Sequence, residues 1–160
     1  MIEELEEKDI SKCLDIYNYY IENSISTFEC TPLSIEEFKI RVKRIKKKFP
    51  FIIYKVNDEV LGYAYLDYFI EREAAFISAD LSIYVKNDCH HMKIGSKLLN
   101  EIISLAPRYG IKNIISVVTT KNDASIRFHL NHNFIRKGTI DNIASKFGKS
   151  LGVIYFKLSL

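Results

Sequence analysis

The sequence predicts an α/β fold of the mixed kind, a mostly antiparallel sheet of about seven strands flanked by about four helices, and three observations carry that prediction. Runs rich in β-branched and aromatic residues, such as "FIIYKV" and "VLGYAYLDYF", follow one another across short polar breaks, as hairpins do. Apolar residues elsewhere recur at helical spacing. The resulting order, strand, two helices, three strands, helix, strand, helix, two strands, lacks the regular strand–helix alternation of a doubly wound sheet.

Taken in order, Ile2 to Leu5 forms a short strand. Lys8 to Glu22 is a helix with Ile10, Cys13, Leu14, Tyr17 and Ile21 on one side. Ser34 followed by Glu37 is a capping box opening a helix through about Lys47. The basic run "RVKRIKKKFP", Arg41 to Pro50, carries Val42 and Ile45 three apart, so its charges form the solvated face of that helix. Two strands joined at Asn57, Asp58 and Glu59 follow, and a third run extends from about Ala74 to Val85. Ile94, Leu98, Leu99, Ile102, Ile103 and Leu105 line a helix that ends near Gly110. The strand "NIISVVTT" precedes a helix capped by Asn122, containing Ile126, Phe128 and Leu130 and ending near Asn133. "FIRKGTI" and "GVIYFKLSL" close the chain as strands.

With 160 residues, 48% hydrophobic and 27% charged, the chain is expected to fold as one domain over 1–160. A net charge of +3 gives no argument for nucleic acid. Cys13, Cys30 and Cys89 are odd in number and widely spaced, which suits a reducing cytoplasm better than a disulfide framework or a metal site. The N-terminal "MIEELEEKDI" has no signal-peptide pattern and no apolar run is long enough to span a bilayer, so no membrane partner is expected.

The stretch "DCHHMKIGSKLL", Asp88 to Leu99, lies where the strand "DLSIYV" passes into a helix. The unpaired N–H groups and dipole of a helix N-terminus make such a place an anion site. Cys89 with His90 and His91 does not form a metal set, because adjacent side chains diverge and no further ligand is suitably spaced.

Several pieces, in this order and spacing, extend the reading: "IYNYYIENSISTFE", "FP" at Phe49 and Pro50, "LGYAYLDYF", "REAAFISADLSIYV", "KIGSKLL", "NDASIRFHLNHNF", "KGTI" and "KFG". Together they make the chain similar to the GNAT N-acetyltransferase superfamily, and within it to the phosphinothricin N-acetyltransferase branch. The resemblance implies acetyl-CoA as co-substrate, no metal, a small-molecule amine as acceptor, direct acyl transfer and a homodimer. The superfamily's pyrophosphate motif, Q/R-x-x-G-x-G/A, falls on His90, His91, Met92, Lys93, Ile94 and Gly95, with Ser96 following; of its three marked positions only Gly95 keeps the family residue. Contacts there are largely made by backbone N–H groups, which the substitutions retain, while a Cβ at Lys93 strains the turn if positive φ is needed.

By the same resemblance, Ile83, Tyr84 and Val85 offer strand backbone to the pantetheine amides, and Asn122 and Ser125 match the family's N-x-x-S near the cofactor arm. Asp80 holds the position of the family's general base, Glu, and is one methylene shorter, which favours a relay through water. His129 stands where the branch places a residue that protonates the departing thiolate, and His132 is expected on the surface. Arg72 and Lys146 match cationic acceptor-site positions, and Thr27 with Phe28 matches the pocket wall. The family's Trp and Asp after "KFG" are Ser150 and Gly152 here. The expected function is acetyl transfer to an amino-acid-like amine of the phosphinothricin or methionine sulfoximine type. The alternatives are transfer to a protein N-terminus or a polyamine, and a catalytically weakened ligand-binding module of the same fold.

Overall fold

The β-prone runs assemble into one seven-stranded sheet, which a computed structural model describes over residues 1–160. β1 (Ile2–Glu4), β2 (Phe51–Val56), β3 (Glu59–Tyr68) and β4 (Ser78–Val85) are successive antiparallel neighbours. β5 (Asn113–Thr119) joins β4 in parallel, and β7 (Lys149–Ser159) lies between β5 and β6 (Ile135–Lys146). The helices are α1 (Ile10–Asn23), α2 (Ile35–Lys46), α3 (Ile94–Leu105) and α4 (Asp123–Asn131). None is long and apolar enough to cross a membrane.

Local chemistry sets the element ends. Ser34 Oγ accepts from the Glu37 N–H at 3.2 Å and the Glu37 carboxylate accepts from the Ser34 N–H at 2.7 Å, the expected capping box of α2. The β2–β3 turn is tighter than expected: Asn57 and Asp58 alone form it, both with positive φ, and Glu59 already pairs with Val56. β4 begins at Ser78 and not near Ala74, because Ala74 and Ala75 belong to a 3-10 turn after Arg72. β6 runs well past Ile140, with register shifts between Arg136 and Gly138 and between Ile140 and Ala144 and a left-handed Asn142.

The two faces of the sheet are covered by different helices. On α3, Ile94, Leu98, Leu99 and Ile102 are fully buried, each worth roughly 2 kcal/mol of apolar transfer. Gly62 of β3 lies under them: a Cβ there would be 3.1 Å from Ile94 Cγ2. Tyr63, Tyr65 and Asp67 point to the opposite face, beneath α1 and α2, where Tyr17 of α1 meets Tyr84 edge-on at 5.1 Å. At the rim of α1, buried Asp9 receives hydrogen bonds from Lys12 and Lys55, both at 2.8 Å.

The β4–β5 joint positions the site. Their parallel pairing covers only Ser78–Asp80 against Asn113–Ile115, after which the strands diverge. The Lys86 N–H bonds the Leu61 carbonyl, so by two-residue alternation Tyr84, Ser82 and Asp80 turn their backbone groups toward β3. Leu81, Ile83 and Val85 turn theirs into the gap left by β5.

Candidate active site

Two features meet at this gap: a row of outward strand backbone and the N-terminus of α3. A 3-10 turn, Asn87–Met92, leads from β4 into α3, and Lys93 stands between them at φ 56°, ψ 24°. The left-handed conformation costs a residue bearing a Cβ roughly 1 kcal/mol, and Lys93 supplies no side-chain cap to α3. His90, His91, Met92 and Lys93 are exposed, Ile94 is core, and Gly95 and Ser96 are half-buried. The α3 N-terminus therefore presents its free N–H groups at the end of the gap, with two imidazoles and Lys93 around it.

Tyr20 of α1 reaches the same place. Its hydroxyl donates to the Val85 carbonyl, so the contact with His90 Nε2, at 3.0 Å, is one in which Nε2–H donates to the tyrosine oxygen. Burial pushes the Tyr20 phenol up to about 12, which keeps it protonated.

Asp80 begins the gap. It lies on a central strand, opposite Asp67 of β3, with its Oδ1 fully buried and without a hydrogen-bond partner. Burial first, and the nearby Asp67 carboxylate second, push Asp80 up to about 7, against a smaller opposing effect of the Leu81 N–H. Asp67 itself is held by both terminal nitrogens of Arg44.

Beside Asp80, beneath α1 and α2, lies a chain of polar groups. The Tyr17 hydroxyl is shared between Thr27 Oγ1, at 3.0 Å, and the Glu29 carboxylate, which also receives two hydrogen bonds from Arg41 at 3.1 and 2.7 Å. Burial alone would raise Glu29, but Arg41 and Tyr17 outweigh it and hold the carboxyl below its usual value. Tyr65 lies opposite Ser82 on the β3–β4 ladder, within electrostatic reach of Tyr17, Arg41 and Asp80. This polar cluster consists of carboxylate and phenol oxygens, and Arg41 and Arg44 are already neutralised by carboxylates.

The sequence-predicted residues divide accordingly. Thr27 is buried beside this cluster, while Phe28 is 38% exposed. Lys146 is not a free cation: it is 5% exposed, donates to the Thr27 carbonyl at 2.9 Å, and burial lowers its pKa. Arg72 is exposed and donates to the Glu71 carbonyl, with no carboxylate partner. Asn122 caps α4 by accepting from the Ser125 N–H at 3.2 Å and donates to Ser26 at 3.1 Å, so its side chain joins α4 to the α1–α2 loop. A cavity of about 410 Å³ opens there, lined by Ser24, Ser26, Asn122 and Phe147 among others.

Two histidines, His129 of α4 and His132 at its C-cap, are held by their neighbours. His129 is 6% exposed, stacked on Phe156 and edge-on to Phe134. Its Nδ1 lies 2.7 Å from the Ser125 carbonyl, which only accepts, so Nδ1 carries the proton. Burial lowers the His129 pKa, and the neutral ring then has no proton on Nε2 to give to a thiolate. His132 is half-buried and not a surface residue, with Nε2 at 2.9 Å from Ser96 Oγ. The pairings of Glu29 with Tyr17 and Arg41, and of Tyr20 with the Val85 carbonyl, could not be read from the sequence, since the partners are distant in it. No group of three or more His, Cys, Asp or Glu side chains is placed to hold a metal ion.

Known proteins share this fold. The acetyltransferase (GNAT) domain family matches residues 2–152. The chain is 26% identical to the phosphinothricin N-acetyltransferase of Streptomyces viridochromogenes, over 88% of this chain and 76% of that protein. It is also 26% identical to the L-methionine sulfoximine/L-methionine sulfone acetyltransferase of Pseudomonas paraeruginosa, over 95% of this chain and 90% of that protein. A solved GNAT superfamily phosphinothricin acetyltransferase from Sinorhizobium meliloti, in complex with AcCoA, superimposes with a TM-score of 0.96 at 25% identity, covering 100% of this chain and 88% of that one. With a family match over residues 2–152, which takes in six strands of the sheet and the start of β7, the chain belongs to the GNAT acetyltransferases and is an acyltransferase.

Proposed function

We propose that the protein transfers the acetyl group of acetyl-CoA to the amine of a small amino-acid-like molecule, of the phosphinothricin or methionine sulfoximine type, with Asp80 as the base. The observation that carries this reading is the buried, unpartnered Oδ1 of Asp80 at the head of the β4–β5 gap. A pKa of about 7 leaves the carboxylate about half ionised at neutral pH and able to take a proton from an amine, directly or through one water.

The residues of the gap fit a CoA ester. The outward backbone groups of Ile83 and the N–H of Val85, whose carbonyl Tyr20 already holds, match the amides of a pantetheine arm, and the free N–H groups of Ile94, Gly95 and Ser96 suit its pyrophosphate. His90, His91 and Lys93 add donors at the mouth. Acetyl-CoA, when bound, supplies an activated acyl thioester. The protein's part is to hold the amine at the cluster of Tyr17, Glu29, Tyr65 and Asp80, to offer Asp80 as proton acceptor, and to orient the acceptor through Arg72 and the wall of Thr27 and Phe28. His129, with its Nδ1 proton committed to Ser125, is assigned the support of α4 against β7 in place of a proton donor's role. The reading carries with it a homodimer and a cytoplasmic location, to be checked by sedimentation and cell fractionation.

The test is a screen of amines with acetyl-CoA, read by release of free thiol. Amino-acid analogues should be turned over, and turnover confined to peptide N-termini or polyamines would replace this substrate class.

A further inference from the structure

In this chain the turn that must converge its N–H groups on an anion is weakened twice, since Lys93 takes a left-handed conformation and gives α3 no side-chain cap. Opposite that turn stands α4. A Cβ on Gly95 would lie 3.3 Å from Phe128 Cε2, so the Phe128 ring rests against the first turn of α3. The Phe128 and His132 rings are 4.3 Å apart. His132 Nδ1 lies 2.7 Å from the Phe128 carbonyl, which can only accept, so Nδ1 holds a proton and the neutral ring keeps a lone pair on Nε2. Ser96, the third residue of α3, lies 2.9 Å from Nε2 and donates its hydroxyl proton to it.

We propose that His132, acting through Ser96, is a positioning residue that holds the first turn of α3 in its anion-binding form, offsetting the strain of a left-handed lysine where a glycine at position 93 would have none. The Ser96 hydroxyl is thereby committed to α4, and only its backbone N–H faces the anion. Phe128 supplies the apolar half of the same buttress. This proposal rests on the acetyl-CoA reading for its ligand, and on the α3–α4 contact alone for its mechanics.

Calorimetric titration of acetyl-CoA into the parent and its variants tests it. His132→Ala and Ser96→Ala should each raise the dissociation constant about 5- to 10-fold, the loss of one hydrogen bond, and in His132→Ala kcat at saturating cofactor and the KM for the amine should change less than about 2-fold. The double variant should bind no more weakly than the worse single one. Lys93→Gly in the His132→Ala background should restore most of the loss, because glycine adopts the turn without strain. In the protein without cofactor, the amides of Ile94 to Lys97 should exchange faster in His132→Ala. Unchanged binding in both single variants, full additivity in the double, or no recovery with Lys93→Gly would each overturn the proposal. If the parent itself binds no acetyl-CoA, the cofactor reading fails, and amide exchange still decides whether His132 holds the turn.

Discussion

Replacing Asp80 by Asn separates catalytic chemistry from stability, and the two effects should run in opposite directions. The carboxyl titrates at about 7 in the folded protein against 3.8 unfolded. Between those values the folded protein holds a proton that the unfolded chain has lost, so this group's contribution falls as pH rises and levels off above about 7. Each pKa unit is worth about 1.4 kcal/mol, so the cost of keeping Asp80 grows by roughly 2 to 3 kcal/mol between about pH 5 and pH 8. Asn carries no such titration. The unfolding free energy of Asp80→Asn relative to the parent should therefore rise by that amount across the interval, whatever the intrinsic effect of the amide. Urea unfolding at the two pH values measures it. Turnover should move the other way, falling about 100-fold or more at neutral pH, and the parent's kcat/KM should climb with pH through about 7. A relative stability that is the same at both pH values, or turnover in Asp80→Asn equal to the parent's, would refute the assignment of a buried, proton-accepting carboxyl.

Other parts of the structure make further predictions. Asp9→Ala removes a buried carboxylate that accepts from both Lys12 and Lys55, leaving half-buried Lys55 to Glu3 and Asp58, and should destabilise the protein by about 2 kcal/mol in chemical denaturation. Burial works against the Asp9 charge, but Lys12 and Lys55 outweigh it and lower its pKa, so the parent's share of this stability should disappear as pH falls through the folded-state value. Gly152→Ala would place a Cβ 2.3 Å from the Ile140 carbonyl oxygen and should lower stability by about 2 kcal/mol or more, read as a drop in the thermal midpoint. Asn122→Ala removes the α4 cap and the bond to Ser26; a loss of about 1 kcal/mol is expected in urea unfolding.

What could be read from the chain follows the range of the interactions. The Ser34–Glu37 box, the α3 stripe and the left-handed Asn133 at the end of α4 are local, and the sequence shows them directly. β6 was legible only as far as Ile140, because its remainder is mostly polar and exposed and slips register between Ile140 and Ala144, without the alternation that marks a strand. The insertion of β7 between β5 and β6 is a property of long-range pairing that no window of residues contains. In the site, Asp80 is singled out by the family resemblance, as the residue at the general base's position, but its burial depends on β4 being central and on Asp67 across the ladder. Lys146 reads as a free cation until the Thr27 carbonyl, far away in sequence, is seen to hold it. His132 reads as surface until α4 is packed against Ser96.

The central claim is that the β4–β5 gap and the α3 N-terminus bind acetyl-CoA despite the lysine in the turn. Thermal unfolding with increasing acetyl-CoA tests it most directly. A ligand confined to the native state should stabilise by about 2.7 kcal/mol at a hundred times its dissociation constant, so the midpoint should climb continuously with concentration. A midpoint that stays fixed up to millimolar acetyl-CoA would contradict the claim.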